Sequence, residues 1–139
     1  MSLSEQHPKA PAVPRSVEEF LNDAQHVAAF TTVRPDGTLH VAPVRFTWDA
    51  AAGLARVMTV DTSRKARNLL DAPGGRVALC QVHGFTWATL EGTATVVRDP
   101  ARVALGAKLY TKRYWSPPPS PPGRVVIEIE VDRVLHLNT

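Results

Sequence analysis

Apolar residues return at every second position over much of this chain, and that two-residue period predicts a protein built mainly of strands. From Thr38 to Trp48, one face carries Ala42, Val44, Phe46 and Trp48, and the other Leu39, Val41, Pro43 and Arg45. Further strand-like runs are His26 to Val33, Leu54 to Val60, Arg76 to Val82, Phe85 to Val97 and Arg124 to Leu137. Turn chemistry separates them: Pro35-Asp36-Gly37 is a hairpin signal, and Asp49 to Gly53 and His83-Gly84 mark further reversals. Gly92, inside the Phe85 to Val97 run, predicts a bulge or bend.

Short helices interrupt this pattern. Ser16 to Leu21 reads as one, with Ser16 as cap and Glu19 at the capping-box position. Asp99 and Pro100 open a longer one, cap followed by first-turn proline, that runs to about Arg113. The Pro-rich segment Trp115 to Pro122 is too rigid for helix or sheet. Met1 to Pro14 has no period and is expected to be a disordered tail, leaving residues 15–139 as one domain. Six mostly antiparallel strands with short helices predict a mainly β fold, a small closed barrel.

The stretch Asp61 to Asn68 breaks an electrostatic rule. It starts a helix that ends near Ala72 at Pro73-Gly74-Gly75, with Thr62 or Ser63 as its cap. The positive end of the helix dipole favours acids, yet this first turn carries Arg64, Lys65 and Arg67 and no acid. One reading is a phosphate shared between those cations and the free backbone N–H groups. The other is a solvated basic turn, with Arg67 paired to Asp71 four residues on.

Bulk properties narrow the partners. A net charge of +3 on 139 residues favours a small anionic ligand over a nucleic-acid groove. The single Cys80 excludes an internal disulfide and a cysteine metal site, and it reads as an inert buried thiol. No apolar run nears the ~20 residues that span a bilayer, and the N-terminus lacks a signal-peptide core, so a soluble cytoplasmic protein is expected. The five histidines have no ligand spacing, and the chain carries no Gly-x-Gly-x-x-Gly, Walker loop or nucleophile elbow. Glu91, Glu128 and Glu130 give no reason to be paired as acid and base. A phosphate cradle without such a set suits a cofactor that performs the chemistry itself.

Several segments in one order carry a family resemblance. They are Phe30 to Gly37, His40 to Phe46, Ser63 to Leu69, Trp87 to Gly92, Tyr110-Thr111-Lys112-Arg113-Tyr114, and Pro117 to Glu128. Together they resemble the pyridoxamine-phosphate-oxidase-like split barrels, and within these the actinobacterial deazaflavin-dependent, biliverdin-reductase-like branch. The resemblance implies a homodimer of six-stranded split barrels with cofactors at the subunit interface. It places the phosphate on Arg64 and Lys65, with Ser63 and Asn68 beside it, and lets Met58 and Thr59 flank the cofactor through backbone atoms. Val41 and Pro43 would lie along the ring, and Gln81 and Trp87 would come from the partner subunit; burial statistics alone favour Trp87 as a plain core aromatic. Chain end His136-Leu137-Asn138-Thr139 lacks the Arg and His motif with which the oxidases of the group hold a pyridoxine phosphate.

The branch implies coenzyme F420, with FMN as the alternative, because both share ring shape and first phosphate. Lys108, Lys112 and Arg113 are candidate cations for the carboxylate-rich F420 tail, or else a basic helix end suited to the dipole. The expected activity is an F420H2-dependent reductase that passes hydride to a conjugated organic acceptor. Biliverdin is the leading acceptor, its propionates meeting Arg45 or Arg34. An FMN-dependent oxidase or reductase, or a non-catalytic flavin, F420 or haem binder, would use the same cradle.

Overall fold

The computed structural model describes residues 13–139. The first twelve residues of the expected tail lie outside the described part, and Val13 is already packed against the core. The elements in chain order are α1 (Arg15–Asn22), β1 (Ala28–Val33), β2 (Leu39–Val44), β3 (Thr47–Asp49), β4 (Leu54–Val60), α2 (Arg64–Asp71), β5 (Gly75–His83), β6 (Thr86–Val97), α3 (Pro100–Tyr114) and β7 (Arg124–Leu137). No helix among the described residues is long and apolar enough to cross a membrane.

All seven strands join one antiparallel sheet in the order β2-β1-β5-β6-β7-β4-β3. The two edge strands, β2 and β3, are consecutive in sequence and separated only by Arg45 and Phe46. A link that short forces the edges together, so the sheet curls into a barrel with a seam. The seventh strand arises because the predicted Thr38 to Trp48 run divides at this link. Val44, Phe46 and Trp48 are buried as their alternation requires, together with Thr47. The barrel interior is filled by Phe30, Phe46, Val57, Leu79, Leu90, Ile127 and Ile129.

The turns follow their sequence signals. Arg34 and Thr38 close the hairpin around Gly37, whose φ of +87° places it in the left-handed region that glycine adopts without strain. At Glu91/Gly92 the β6–β7 register shifts, which is the bulge expected there. Asp99 caps α3 by accepting from the Arg102 N–H at 3.1 Å. At α1 the expectation fails. The helix starts one residue earlier, behind Pro14, with no side-chain cap, and Glu19 pairs with Arg15 instead of closing a capping box.

A second, smaller apolar cluster of Val97, Val103 and Val126, with Met58 against it, lies under α3, outside the barrel. Gly106 lets that helix approach closely, since a Cβ there would sit 2.7 Å from Met58 Sδ and 3.1 Å from Val126 Cγ2. Buried Arg56 is bonded to Asp49 at 2.7 Å and to Glu128 at 3.3 Å, and Arg102 closes on the other Glu128 oxygen. Glu128 is therefore a structural counter-ion. The Arg56 hydrogen bond holds the Asp49 carboxyl below the usual carboxylate range. Cys80 is half-buried, on the outward face of β5 opposite Ala29 and Thr89, so the fully buried thiol is not what the fold provides.

Candidate functional site

The seam creates the site. β3 pairs with β4 only from Leu54 to Arg56, so beyond Arg56 one edge of β4 has no strand beside it. Across the gap stands the outer edge of β2, which pairs only with β1. A cleft of about 310 Å³ opens between them, lined by Pro43, Val44 and Arg45 on one side and Met58, Thr59 and Val60 on the other. Tyr110 of α3 and Pro118, Pro119 and Pro121 of the rigid loop complete it, with Lys65 and Arg124 as further cations. Its volume lies at the low end of the roughly 300–1,000 Å³ typical of small-molecule sites. Pro43, Met58 and Thr59, which the resemblance assigns to the cofactor, line this one cleft, and its strand edges carry backbone groups with no ladder partner.

The basic helix start divides its cations between two surfaces. Ser63 is the N-cap, its Oγ accepting from Ala66 N–H at 3.3 Å and from Thr59 Oγ1 at 3.0 Å. Lys65 turns into the cleft, half-buried, and has no ion-pair or hydrogen-bond partner among the described residues. Burial alone pushes its ammonium below the usual lysine range, the mark of a cation without an anion. Arg64 lines a separate depression with Asp61, Thr62, Arg67, Leu70, Asp71 and Arg98. Arg67 donates to the Thr62 carbonyl at 3.3 Å, and no ion pair with Asp71 forms. His40, on β2, is lowered by its own burial and by Arg34, Lys65 and Arg64, and its Nδ1 is a buried atom without a partner.

Other predicted residues lie elsewhere. Asn68 is buried and donates to Thr32 Oγ1 at 2.9 Å, so it joins α2 to the barrel and does not line the cleft. Gln81 is 1% exposed, donates to Phe20 O at 2.8 Å and accepts from Arg113 at 2.8 Å, so within this chain it is part of the packing between α1, β5 and α3. Arg113 also donates to Phe46 O at 2.7 Å, and its guanidinium stacks over the Phe46 and Tyr114 rings. It is a partly buried cation that ties α3 to the β2–β3 link and to β5, and it does not line the cleft. Lys108 and Lys112 are exposed and lie two residues from Tyr110 on either side, about 200° around the helix and so away from the cleft. Lys112 instead borders shallow depressions beside Asn22.

Val41 and Trp87 fall on one continuous surface that begins at the cleft. Partners in an antiparallel ladder share a face, so Pro43, Ala29, Cys80, Thr89 and Leu135 form one outward row. Val82, Trp87 and Leu137 form another, and Leu39, Val33 and Val41 extend the surface across β1 and β2. Leu39, Val41, Val82 and Leu137 are each at least half exposed, and Phe85 is 89% exposed. This exceeds the scattered apolar residues of an ordinary monomer surface.

A seamed antiparallel barrel with an anion-ready cleft defines a cofactor-binding split barrel. The chain belongs to the pyridoxamine 5'-phosphate oxidase family, whose model matches residues 13–138. It is 42% identical over 116 residues to the F420H(2)-dependent biliverdin reductase of Mycobacterium tuberculosis (strain CDC 1551 / Oshkosh), covering 84% of this chain and 82% of that protein. Among solved structures it is similar to an F420 reductase, at 27% identity and a TM-score of 0.70, covering 88% of this chain and 98% of that one. General Stress Protein 26 of Bacillus anthracis shares the fold, at 21% identity and a TM-score of 0.67 over 88% of this chain and 94% of that one.

Among the lining residues that sequence reasoning did not single out as site residues are the polar pair Tyr110 and Arg124. Tyr110 had a signal: Val103, Gly106, Tyr110 and Tyr114 form the buried stripe of α3 at helical spacing. Arg124 had none, because only the β4–β7 register places it opposite Val60.

Proposed function

We propose that this protein is an F420H2-dependent oxidoreductase that passes hydride to a conjugated organic acceptor, with biliverdin the first acceptor to test. The carrying observation is Lys65, a half-buried cation without a partner at a helix start, in a cleft whose lining contains no acid. A phosphate fits it, and the apolar walls and open strand edges fit a flat ring. Lys65 and the first N–H groups of α2 would hold the phosphate, helped by Ser63, while Arg64, which lines the neighbouring depression, would act only by its field. Pro43, Val44, Met58 and Thr59 would flank the ring and exclude water from one side of it. Bound F420H2 supplies the hydride, so the chain's task is alignment and shielding. The preference for F420 over FMN rests on the 42% identical relative, because Lys108 and Lys112 face away from the cleft and supply no tail contact there.

The test is purification from a host lacking F420, titration with F420 and with FMN, and addition of biliverdin to the protein with reduced F420. Tighter binding of F420 and consumption of its reduced form are expected. Tighter binding of FMN would move the protein to the flavin enzymes, and F420 bound without turnover would make it a carrier. Lys65→Ala is expected to weaken F420 binding by ~1.5–3 kcal/mol, roughly tenfold or more, with the melting temperature almost unchanged. Unchanged affinity would place the anion elsewhere.

The reading includes a C2 homodimer. The outward apolar surface of β2-β1-β5-β6-β7 is too extensive to leave in water, and it runs into a cleft too small and open to enclose a cofactor and an acceptor alone. Trp87 and Val41 on that surface would then reach the site from one subunit or the other. Sedimentation is expected to find a dimer at micromolar concentration, and a cofactor-loaded monomer would overturn this.

A further inference from the structure

The cleft holds a second charged group whose placement the phosphate does not explain. Arg45 occupies the two-residue link between β2 and β3, where the sheet closes. Its Nη1 donates to the Tyr110 hydroxyl at 2.9 Å, and its guanidinium carbon lies 5.0 Å and 5.8 Å from the centres of the Tyr114 and Tyr110 rings. The side chain is exposed, and no carboxylate among the described residues is in ion-pair reach. A guanidinium has five N–H donors, and here one is used.

A purely structural duty does not account for this arrangement. Tyr114 already ties the link to α3: its hydroxyl accepts from Phe46 N–H at 3.1 Å, and its single proton is shared between the His26 and Phe46 carbonyls at 2.8 Å and 3.0 Å. Tyr110 and Tyr114 instead fix the plane of the Arg45 fork before any ligand arrives. Bracing of that kind lowers the ordering cost of recognition, and a planar fork matches a carboxylate in bidentate fashion.

We infer that Arg45 is a carboxylate receptor, so that the cleft selects a flat conjugated ligand carrying pendant carboxylates. The inference rests on the F420 reading for what else occupies the cleft, but not for the receptor itself. Two molecules in that reading bring carboxylates: an acceptor such as biliverdin, through its propionates, and the cofactor, through its glutamyl tail.

Binding separates these without turnover. Dissociation constants would be measured for biliverdin and for its dimethyl ester on protein holding oxidised F420, and for F420 with and without its glutamyl residues. Wild type, Arg45→Gln, Arg45→Lys and Tyr110→Phe would be compared, with melting temperatures as the check on folding. Arg45→Gln is expected to weaken the carboxylate form of one ligand about tenfold to a hundredfold, leaving its ester or tail-free counterpart unchanged. Loss confined to biliverdin assigns the acceptor, and loss confined to tailed F420 assigns the cofactor. Arg45→Lys should recover part of that loss, and Tyr110→Phe should show a smaller loss of the same selectivity. Equal weakening of charged and uncharged forms, or no weakening of either, overturns the inference. Failure of the wild type to bind F420 would instead sink the cofactor reading, and the biliverdin and ester comparison on unloaded protein would still decide the role of Arg45.

Discussion

Gly92→Ala is expected to leave little folded protein. A Cβ at this position would overlap the Glu130 carbonyl oxygen, and would sit 2.8 Å from the carbonyl carbon and 3.0 Å from Val131 Cα. All three are backbone atoms, so no side-chain rotation can relieve the clash. The bulge at Glu91/Gly92 lies inside the ladder between the two longest strands, and the shift would propagate to Ile129 and Val131 in the core. Ordinary overpacking costs about 1–3 kcal/mol. A clash with fixed backbone should exceed ~4 kcal/mol, a large share of the roughly 5–15 kcal/mol that holds a domain folded. Soluble yield and the urea midpoint would report it, beside Gly37→Ala, where positive φ imposes strain but nothing lies within 4 Å of the new methyl. A Gly92→Ala protein with a wild-type midpoint would show that the bulge relaxes freely.

Arg113→Met should melt about 10 °C lower yet bind cofactor normally once folded. Methionine keeps the apolar stem packed against Phe46 and Tyr114 while removing the bonds to Gln81 Oε1 and Phe46 O. The Phe46 carbonyl retains the Tyr114 hydroxyl, but the Gln81 oxygen is left buried without a donor. Losing charge-assisted bonds to buried acceptors costs about 2–4 kcal/mol. Thermal melts, and F420 titration well below the melting temperature, separate this from the cofactor-tail role that its sequence position suggests. A variant that melts normally but has lost F420 would restore that role.

The contrast between Arg113 and Lys65 shows what sequence can carry. Lys65 was legible because its chemistry is local: three cations at one helix start violate the dipole rule whatever the rest of the chain does. Strand positions, the Gly92 bulge and the Asp99-Pro100 helix start were legible for the same reason. Lys108, Lys112 and Arg113 required the rotational phase of α3 against the sheet. The stripe Val103, Gly106, Tyr110, Tyr114 records that phase and would have placed both lysines on the far side, had the helix been read by its buried face. Asn68 and Gln81 were harder. Their burial depends on Thr32, Phe20 and Arg113, residues brought close only by tertiary structure. The break at Arg45-Phe46 left no trace, since the inward alternation from Val44 to Trp48 continues straight through it.

That break has a mechanical consequence. Every ladder hydrogen bond of the sheet runs between strand pairs other than β2 and β3, and the cleft lies along the one boundary with no ladder. Parting its walls therefore sacrifices no interstrand bond; the Arg45-Phe46 hinge, the Arg113 bond to the Phe46 carbonyl, the tyrosine contacts of α3 and the packing of Val44 and Phe46 are what resist it. Hydrogen-bonded ladders brace the barrel around the rest of its circumference and are missing along this single line. A scaffold of that kind can admit guests of different thickness without being rebuilt, since the opening that receives them is also the direction in which it yields.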